Sequence, residues 1–378
     1  FGQDSSFAGE KTAQGNQDDN SIGDFYYTPP SGFLALCTSN LPAVAVTPSE
    51  HFNTVLYTGD ASVRSITGVG FQPDLVWVKQ RSAVARNHII TDAVRGVNKS
   101  LYADISNPEA TDTDRITAFG ADGFSLGDGD YVNASADTYV AWNWKGANAT
   151  VTNTAGSIDT EVSANADAGF SLISWVGDGT GSSYGHGLTK APEMIIARHR
   201  GDTSWYVYNT NFPNPFTEVM YMELPNSIAT STVYTATSST TFTVASGALT
   251  TDTQNYIAYC FHSVDGYSKV GSYTGNGNAD GTFVYTGFRP AFTLIKRTDT
   301  TEDWWLHDSK RDEYNIVHNI LYANENNAEI EGSGDNQSKD YLSNGFKLRT
   351  ANVNWNADGG TYIYLAFAET PFKYSNAR

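Results

Sequence analysis

The sequence predicts an all-β protein: three tandem β-sandwich or jelly-roll-like modules behind an extended N-terminal arm. Three observations carry that expectation. The first is composition. Charged residues make up only 17 % of the chain, below the roughly 25 % usual in globular domains. The difference is filled by Thr, Ser, Asn and Gly, together with 22 Tyr, 19 Phe and 8 Trp. β-branched and aromatic side chains suit a pleated, half-buried surface, and runs at helical spacing are scarce. The second is internal repetition, since one set of motifs recurs three times. The third is its period: Gly59, Gly177 and Gly275, which open the repeats, lie 118 and 98 residues apart. Units of that size are long enough to fold separately, unlike the repeats of about 20–50 residues that build solenoids and propellers.

Residues 1–50 are expected to form the arm. Phe1 to Gly23 is Gln-, Asp-, Gly- and Ser-rich without periodicity and reads as a loop. Phe25-Tyr26-Tyr27-Thr28-Pro29-Pro30, leading into Gly32-Phe33-Leu34-Ala35-Leu36-Cys37, reads as an extended segment docked on a neighbour.

Repeats occupy 51–148, 149–265 and 266–378. Each opens on an aromatic followed by a Gly-rich turn: Tyr57-Thr58-Gly59, Trp175-Val176-Gly177 and Tyr273-Thr274-Gly275. A Pro then leads into an apolar strand, Pro73 to Lys79, Pro192 to Arg198 and Pro290 to Lys296, since a first strand position need not donate to the ladder. Returning strands follow at His88 to Asp92, Trp205 to Asn209 and Trp304 to Asp308, making hairpins around turns such as Gly201-Asp202-Thr203-Ser204. Leu101-Tyr102-Ala103 and Leu321-Tyr322-Ala323 come next, with the looser Val219-Met220-Tyr221-Met222 in the second repeat. Phe124-Ser125-Leu126, Phe242-Thr243-Val244 and Phe346-Lys347-Leu348 precede the closing strands Tyr139 to Trp142, Tyr256 to Tyr259 and Tyr364 to Phe367. In those last strands both faces are apolar or amphipathic, which marks a central strand. Asn148 to Asp167, rich in Ala, Thr and Asn, reads as a linker.

A net charge of −18 argues against nucleic acid and anionic membrane surfaces. No apolar run approaches the roughly 18 residues of a membrane helix. Cys37 and Cys260 read as two buried free thiols. His51, His88, His186, His199, His262, His307 and His318 are scattered, and no metal-spacing motif or nucleophile elbow occurs. Turns such as Gly127-Asp128-Gly129-Asp130 need no metal to explain them. The expectation is therefore a protein without catalytic residues, metal or cofactor. The ambiguous residues are Trp205, Tyr206, Trp304 and Trp305. They suit a sugar-stacking platform for a host-surface glycan, while packing is the blander account, because alternation turns one of Trp304 and Trp305 inward.

Gly287-Phe288-Arg289-Pro290-Ala291-Phe292, Leu342-Ser343-Asn344-Gly345-Phe346-Lys347-Leu348-Arg349 and Tyr362-Ile363-Tyr364-Leu365-Ala366-Phe367-Ala368-Glu369-Thr370-Pro371-Phe372 resemble an uncharacterised β-rich repeat family of tailed, mainly marine, bacteriophage virion proteins. Tyr27 to Cys37 resembles the segment that precedes those repeats, and Phe1-Gly2-Gln3 the end of a SPRY or concanavalin-like sandwich upstream. The resemblance is weakest in the second repeat, where Phe242 lacks the Asn-Gly lead-in. It implies a tail fibre, head fibre or decoration protein on the virion exterior. Other virion proteins would be its partners, a homo-oligomer such as a trimer its state, and the host surface a further contact. A carbohydrate-binding adhesive module is the alternative, and a polysaccharide depolymerase a third.

Overall fold

The computed structural model describes residues 5–41, 44–82, 85–332 and 338–372; Phe1-Gly2-Gln3 lies outside the described residues. The chain is all-β. Each repeat places most of its strands in a large and a small antiparallel sheet. In module 1 the large sheet runs Phe52–Thr58, Thr138–Trp144, Leu75–Gln80, Ile89–Asp92, and the small one Arg64–Thr67, Gly123–Leu126, Ile116–Gly120. Module 2 repeats that order with Phe170–Val176, Asn255–Phe261, Met194–His199, Tyr206–Asn209 over Ser182–Gly185, Thr241–Val244, Tyr234–Thr237. Module 3 does so with Ser268–Thr274, Thr361–Pro371, Phe288–Arg297, Trp304–Asp308 over Phe283–Tyr285, Gly345–Leu348, Lys339–Leu342.

The recurring residues have local causes. First and last strands of each module pair in register so that Tyr57 faces Tyr139, Trp175 faces Tyr256 and Tyr273 faces Tyr362. These rings stack at 5.1, 5.3 and 4.7 Å, a cross-strand pair worth several tenths of a kcal/mol up to about 1 kcal/mol. The opening glycines recur for lack of space. A Cβ on Gly59, Gly177 or Gly275 would overlap the carbonyl oxygen of Ala134, Thr251 or Ala357 respectively. Pro73 and Pro192 stand just before their strands, whereas Pro290 lies inside Phe288–Arg297, where the register shifts on either side of it.

Along the central strands, side chains alternate between two cores. Val76 and Val78 point into the module 1 interior with Ile116, Phe124 and Leu126, and Leu75 and Trp77 into another cluster. Ile195 and Ala197 against Met194 and Ile196, or Trp305 against Trp304, repeat the division. That second cluster is common to all three modules. Trp142 and Trp144 of module 1 meet Phe292 of module 3 at 5.7 and 5.9 Å. Phe261 of module 2 meets Phe367 of module 3 at 6.0 Å. The three large sheets thus form the walls of a three-sided prism, and units long enough to fold separately share one interior. Val46, near the far end of the arm, is buried in that shared interior.

Two sequence expectations are corrected. The segment Asn148 to Asp167 is not a free linker, because Val151–Asn153 and Thr160–Asn165 pair with each other and extend the module 2 sheet beyond Phe170–Val176. Cys260 is buried, but Cys37 is exposed on the arm. Among the described residues no helix is long and apolar enough to cross a membrane.

Candidate functional site

The chemistry-bearing side chains gather at the seams between modules. Every Pro-led strand carries a cation at its next-to-last residue, and each of these cations is buried against a neighbouring module. Lys79 Nζ donates to the carbonyl oxygens of Gln80 (2.9 Å) and of Asn326 (3.1 Å) in module 3. Lys296 Nζ donates to Arg297 (3.1 Å) and to Pro225 (2.9 Å) in module 2. The Arg198 guanidinium donates to Gly201 (2.7 Å) and to Ser106 and Asn107 (2.9 and 2.8 Å) in module 1. The contacts run from module 1 to 3, 3 to 2 and 2 to 1, so the cycle closes. Burial pushes the Lys79 and Lys296 ammoniums down to about 8, because desolvation disfavours the charged form.

A second set of donors follows the same cycle. Trp205 Nε1 donates to the Tyr102 carbonyl of module 1 (2.7 Å), and Trp304 Nε1 to the Tyr221 carbonyl of module 2 (2.8 Å). His88 Nε2 lies 2.9 Å from the Tyr322 carbonyl of module 3. His88 Nδ1 accepts the Trp77 indole N–H (2.8 Å); since indole only donates, Nε2 carries the ring proton. Burial holds His88 well below the ordinary histidine value.

These contacts overturn the sugar-platform reading. Trp205, Trp304 and Trp305 are 0 %, 1 % and 2 % exposed, so none offers a ring face to a glycan. Tyr206 is half-buried, its ring edge-on to Tyr221 at 5.6 Å. Neither Trp304 nor Trp305 faces solvent, because the sheet has a core on each side.

Two seams add carboxylates. Asp92 holds Arg95 at 2.5 Å, Arg95 reaches Glu109 at 3.1 Å, and Glu109 takes Arg200 of module 2 at 2.6 Å. Tyr259 of module 2 donates its hydroxyl to Asp92 at 2.8 Å. The matching set is Asp308 with Arg311 (2.6 Å), Arg311 with Glu329 (2.9 Å), Glu329 with Arg81 of module 1 (2.7 Å), and the Trp142 indole on Asp308 (3.1 Å). Burial raises Glu109 and Glu329, but the guanidinium bonds outweigh it and hold both below the usual carboxylate value. At the corresponding places of the third seam stand Asn209, Phe212, Ile228 and Leu365.

Module 3 also buries polar groups in its own interior. Lys339 Nζ donates to the Thr293 hydroxyl (2.6 Å) and lies 5.3–5.5 Å from the ring centroids of Tyr341, Phe346 and Trp355. His307 packs edge-on against Trp355 at 4.7 Å. Its two ring nitrogens have no hydrogen-bond partner among the described residues. Burial pushes Lys339 and His307 well below their ordinary values. Among the described residues, no group of three or more His, Cys, Asp or Glu side chains is placed to hold a metal ion.

Sequence reasoning missed the seam cations, although one signal was present: a Lys or Arg six residues after each strand-leading Pro. It also missed how the arm is tied. Asp18 Oδ1 accepts the N–H groups of Asn20 and Ile22 (2.9 Å each), and Oδ2 accepts the Ala35 N–H and the Asn40 amide (2.7 Å each). Asp24 takes the Ser5 hydroxyl (2.6 Å) and the Gly15 N–H (2.8 Å). The arm is thereby closed on itself.

Fold and site together define a class: an all-β protein of three modules locked head to tail around one interior, with a self-tied arm. The chain belongs to the family described as a domain of unknown function (DUF7483), whose model matches residues 47–371. That match begins at Thr47, near the far end of the arm, and runs through all three modules. No curated protein matches the chain.

Proposed function

We propose that this chain is a structural component of a tailed-bacteriophage particle, a tail fibre, head fibre or decoration protein on the virion exterior. The observation that carries the reading is the closed cycle of seams. Three sandwiches that bury their large sheets in one another make a single block, and its buried cations serve to cap a neighbour's carbonyls. The motifs around Gly287 to Phe292 and Tyr362 to Phe372, which resemble those of phage virion proteins, give the block its setting. The three modules already surround one core, so one chain is taken as the building unit, and other particle proteins are its partners. Contact with a host surface stays part of the reading, but without the tryptophan platform.

Cryo-electron microscopy of purified particles tests this proposal. A three-lobed block of this size on the outside of head or tail is the expected result. A chain that stays in the soluble fraction and is absent from purified particles contradicts it. Release of reducing ends from host polysaccharide by the purified chain would contradict it too.

A further inference from the structure

The modules spend their apolar faces on one another, and the arm does not. Eighteen large apolar side chains are exposed among the described residues, and six of them lie within residues 5–41: Phe7, Tyr26, Tyr27, Phe33, Leu34 and Leu36. Tyr27, Phe33 and Leu36 are 79 %, 68 % and 94 % exposed. A third of the exposed apolar side chains thus sits on about a tenth of the chain, the density expected of an interaction site rather than of scattered surface residues.

The arm is also shaped in advance. Asp18 and Asp24 tie Ser5, Gly15, Ala35 and Asn40 into one loop. Asp19 accepts the Gly32 N–H at 2.7 Å, and the Phe33 N–H closes a turn on the Pro30 carbonyl at 3.0 Å with Gly32 at φ +85°. That turn needs a positive φ at its third residue, which Gly supplies without strain. It presents Phe33 and Leu36 outward on a segment whose ordering cost is already met, and pre-organisation of this kind strengthens binding. At its far end the arm is fastened to the prism by Val46.

We propose that the arm seats in an apolar cleft with a basic rim on a different protein of the same particle. This rests on the structural-component reading above. Aromatic and leucine anchors fill clefts of that kind and carry most of the binding energy of an interface. The rim follows from charge: residues 5–41 hold Glu10, Asp18, Asp19 and Asp24 against Lys11 alone, on a chain of net charge −18. The same charge disfavours a second copy of this chain as the occupant, since like charges juxtaposed oppose association.

The test is photo-cross-linking in purified particles, with p-benzoylphenylalanine at Phe33 and, as a control on module 1, at Val63. Cross-links from position 33 to one other particle protein, at a site flanked by Lys or Arg, are expected, and none from position 63. Asp18→Ala is the second measurement. It is expected to lower particle occupancy by about tenfold or more while the melting temperature of the prism stays unchanged. Cross-links between two copies of the chain, cross-links to an acidic site, or full occupancy of the Asp18→Ala chain would each overturn the proposal. A chain present in particles with a silent probe at position 33 contradicts the arm alone. A chain missing from particles contradicts the structural-component reading, and this partner with it.

Discussion

The seams of module 2 with module 1 and of module 1 with module 3 are built around buried carboxylates, whereas the seam of module 3 with module 2 has none at the matching places. Asp92 and Asp308 each hold an arginine and receive an aromatic donor from the next module. Asn209, Phe212 and Leu365 fill the same positions with an amide and two apolar groups. Both solutions close the same cycle, so the ionic networks are not what makes a seam possible. Buried ion pairs often do no better than well-packed apolar groups of equal volume, yet losing one partner is costly because a charge is left uncompensated. The difference therefore lies in how each seam fails. Ionic seams fail abruptly on a single change, and the apolar seam fails in proportion to volume lost.

The largest effect that can break this comparison comes from removing one carboxylate. Asp308→Ala takes one of two carboxylates from the buried Arg311 guanidinium and the acceptor from the Trp142 indole, and Asp92→Ala does the same to Arg95 and Tyr259. Each is expected to cost about 3–5 kcal/mol in denaturant unfolding. Asn209→Ala in the third seam should cost about 1 kcal/mol, as one buried amide with modest partners. Equal losses at all three sites would erase the distinction.

Next in size is the response to alkali. Lys79 and Lys296 sit at about 8 in the folded chain and near 10.4 when unfolded. Between those values the unfolded chain binds more protons, so stability rises with pH there, by up to about 3 kcal/mol per lysine. A flat stability profile from pH 8 to 10.5 would contradict this account of the seam cations. The double variant Lys79→Met with Lys296→Met should reduce the rise, with buried Lys339 supplying what remains.

A third effect sharpens the contrast between module interiors. At the places where module 1 has Ile116 and Thr91, module 3 has Lys339 and His307. Folded His307 and His88 are held well below the ordinary value, while the unfolded chain takes up protons near 6.5. Stability is therefore lost as pH falls below about 6.5. His307→Thr should reduce that acid sensitivity, as read from melting temperatures between pH 5 and 7. An unchanged slope would place the sensitivity elsewhere.

The smallest expected effect separates the two adjacent tryptophans. Trp304→Phe leaves the Tyr221 carbonyl without its donor and should cost about 1–3 kcal/mol more than the volume change alone. Trp305→Phe removes an indole N–H that has no partner among the described residues and should show the volume cost only.

Much of the fold was legible because strand alternation and turn chemistry act over a few residues. Three repeats and their opening glycines follow from local pattern; the cross-strand pairing of Tyr57 with Tyr139 does not, and in module 3 it falls on Tyr362, two residues before the Tyr364 at which the closing strand was expected. The two-sided apolar character of Tyr139 to Trp142 was also legible, but not what lies against the second face. A strand covered by its own small sheet on one side and by other modules on the other has the same sequence signature as any central strand. For the same reason Trp304 read as a surface candidate. The seam cations looked like ordinary strand ends, since no sequence rule says that a carbonyl more than 200 residues away, such as Asn326 for Lys79, will cap them. Cys37 read as buried because cysteine usually is. The arm around it ties itself together through Asp18 and Asp24 and leaves Cys37 outside.

The three modules form one closed block, and calorimetric unfolding of the intact chain tests that most directly. A single cooperative transition, with calorimetric and van't Hoff enthalpies in agreement, is predicted, because no module can leave without exposing the shared interior. Separate transitions for individual modules would contradict the closed cycle.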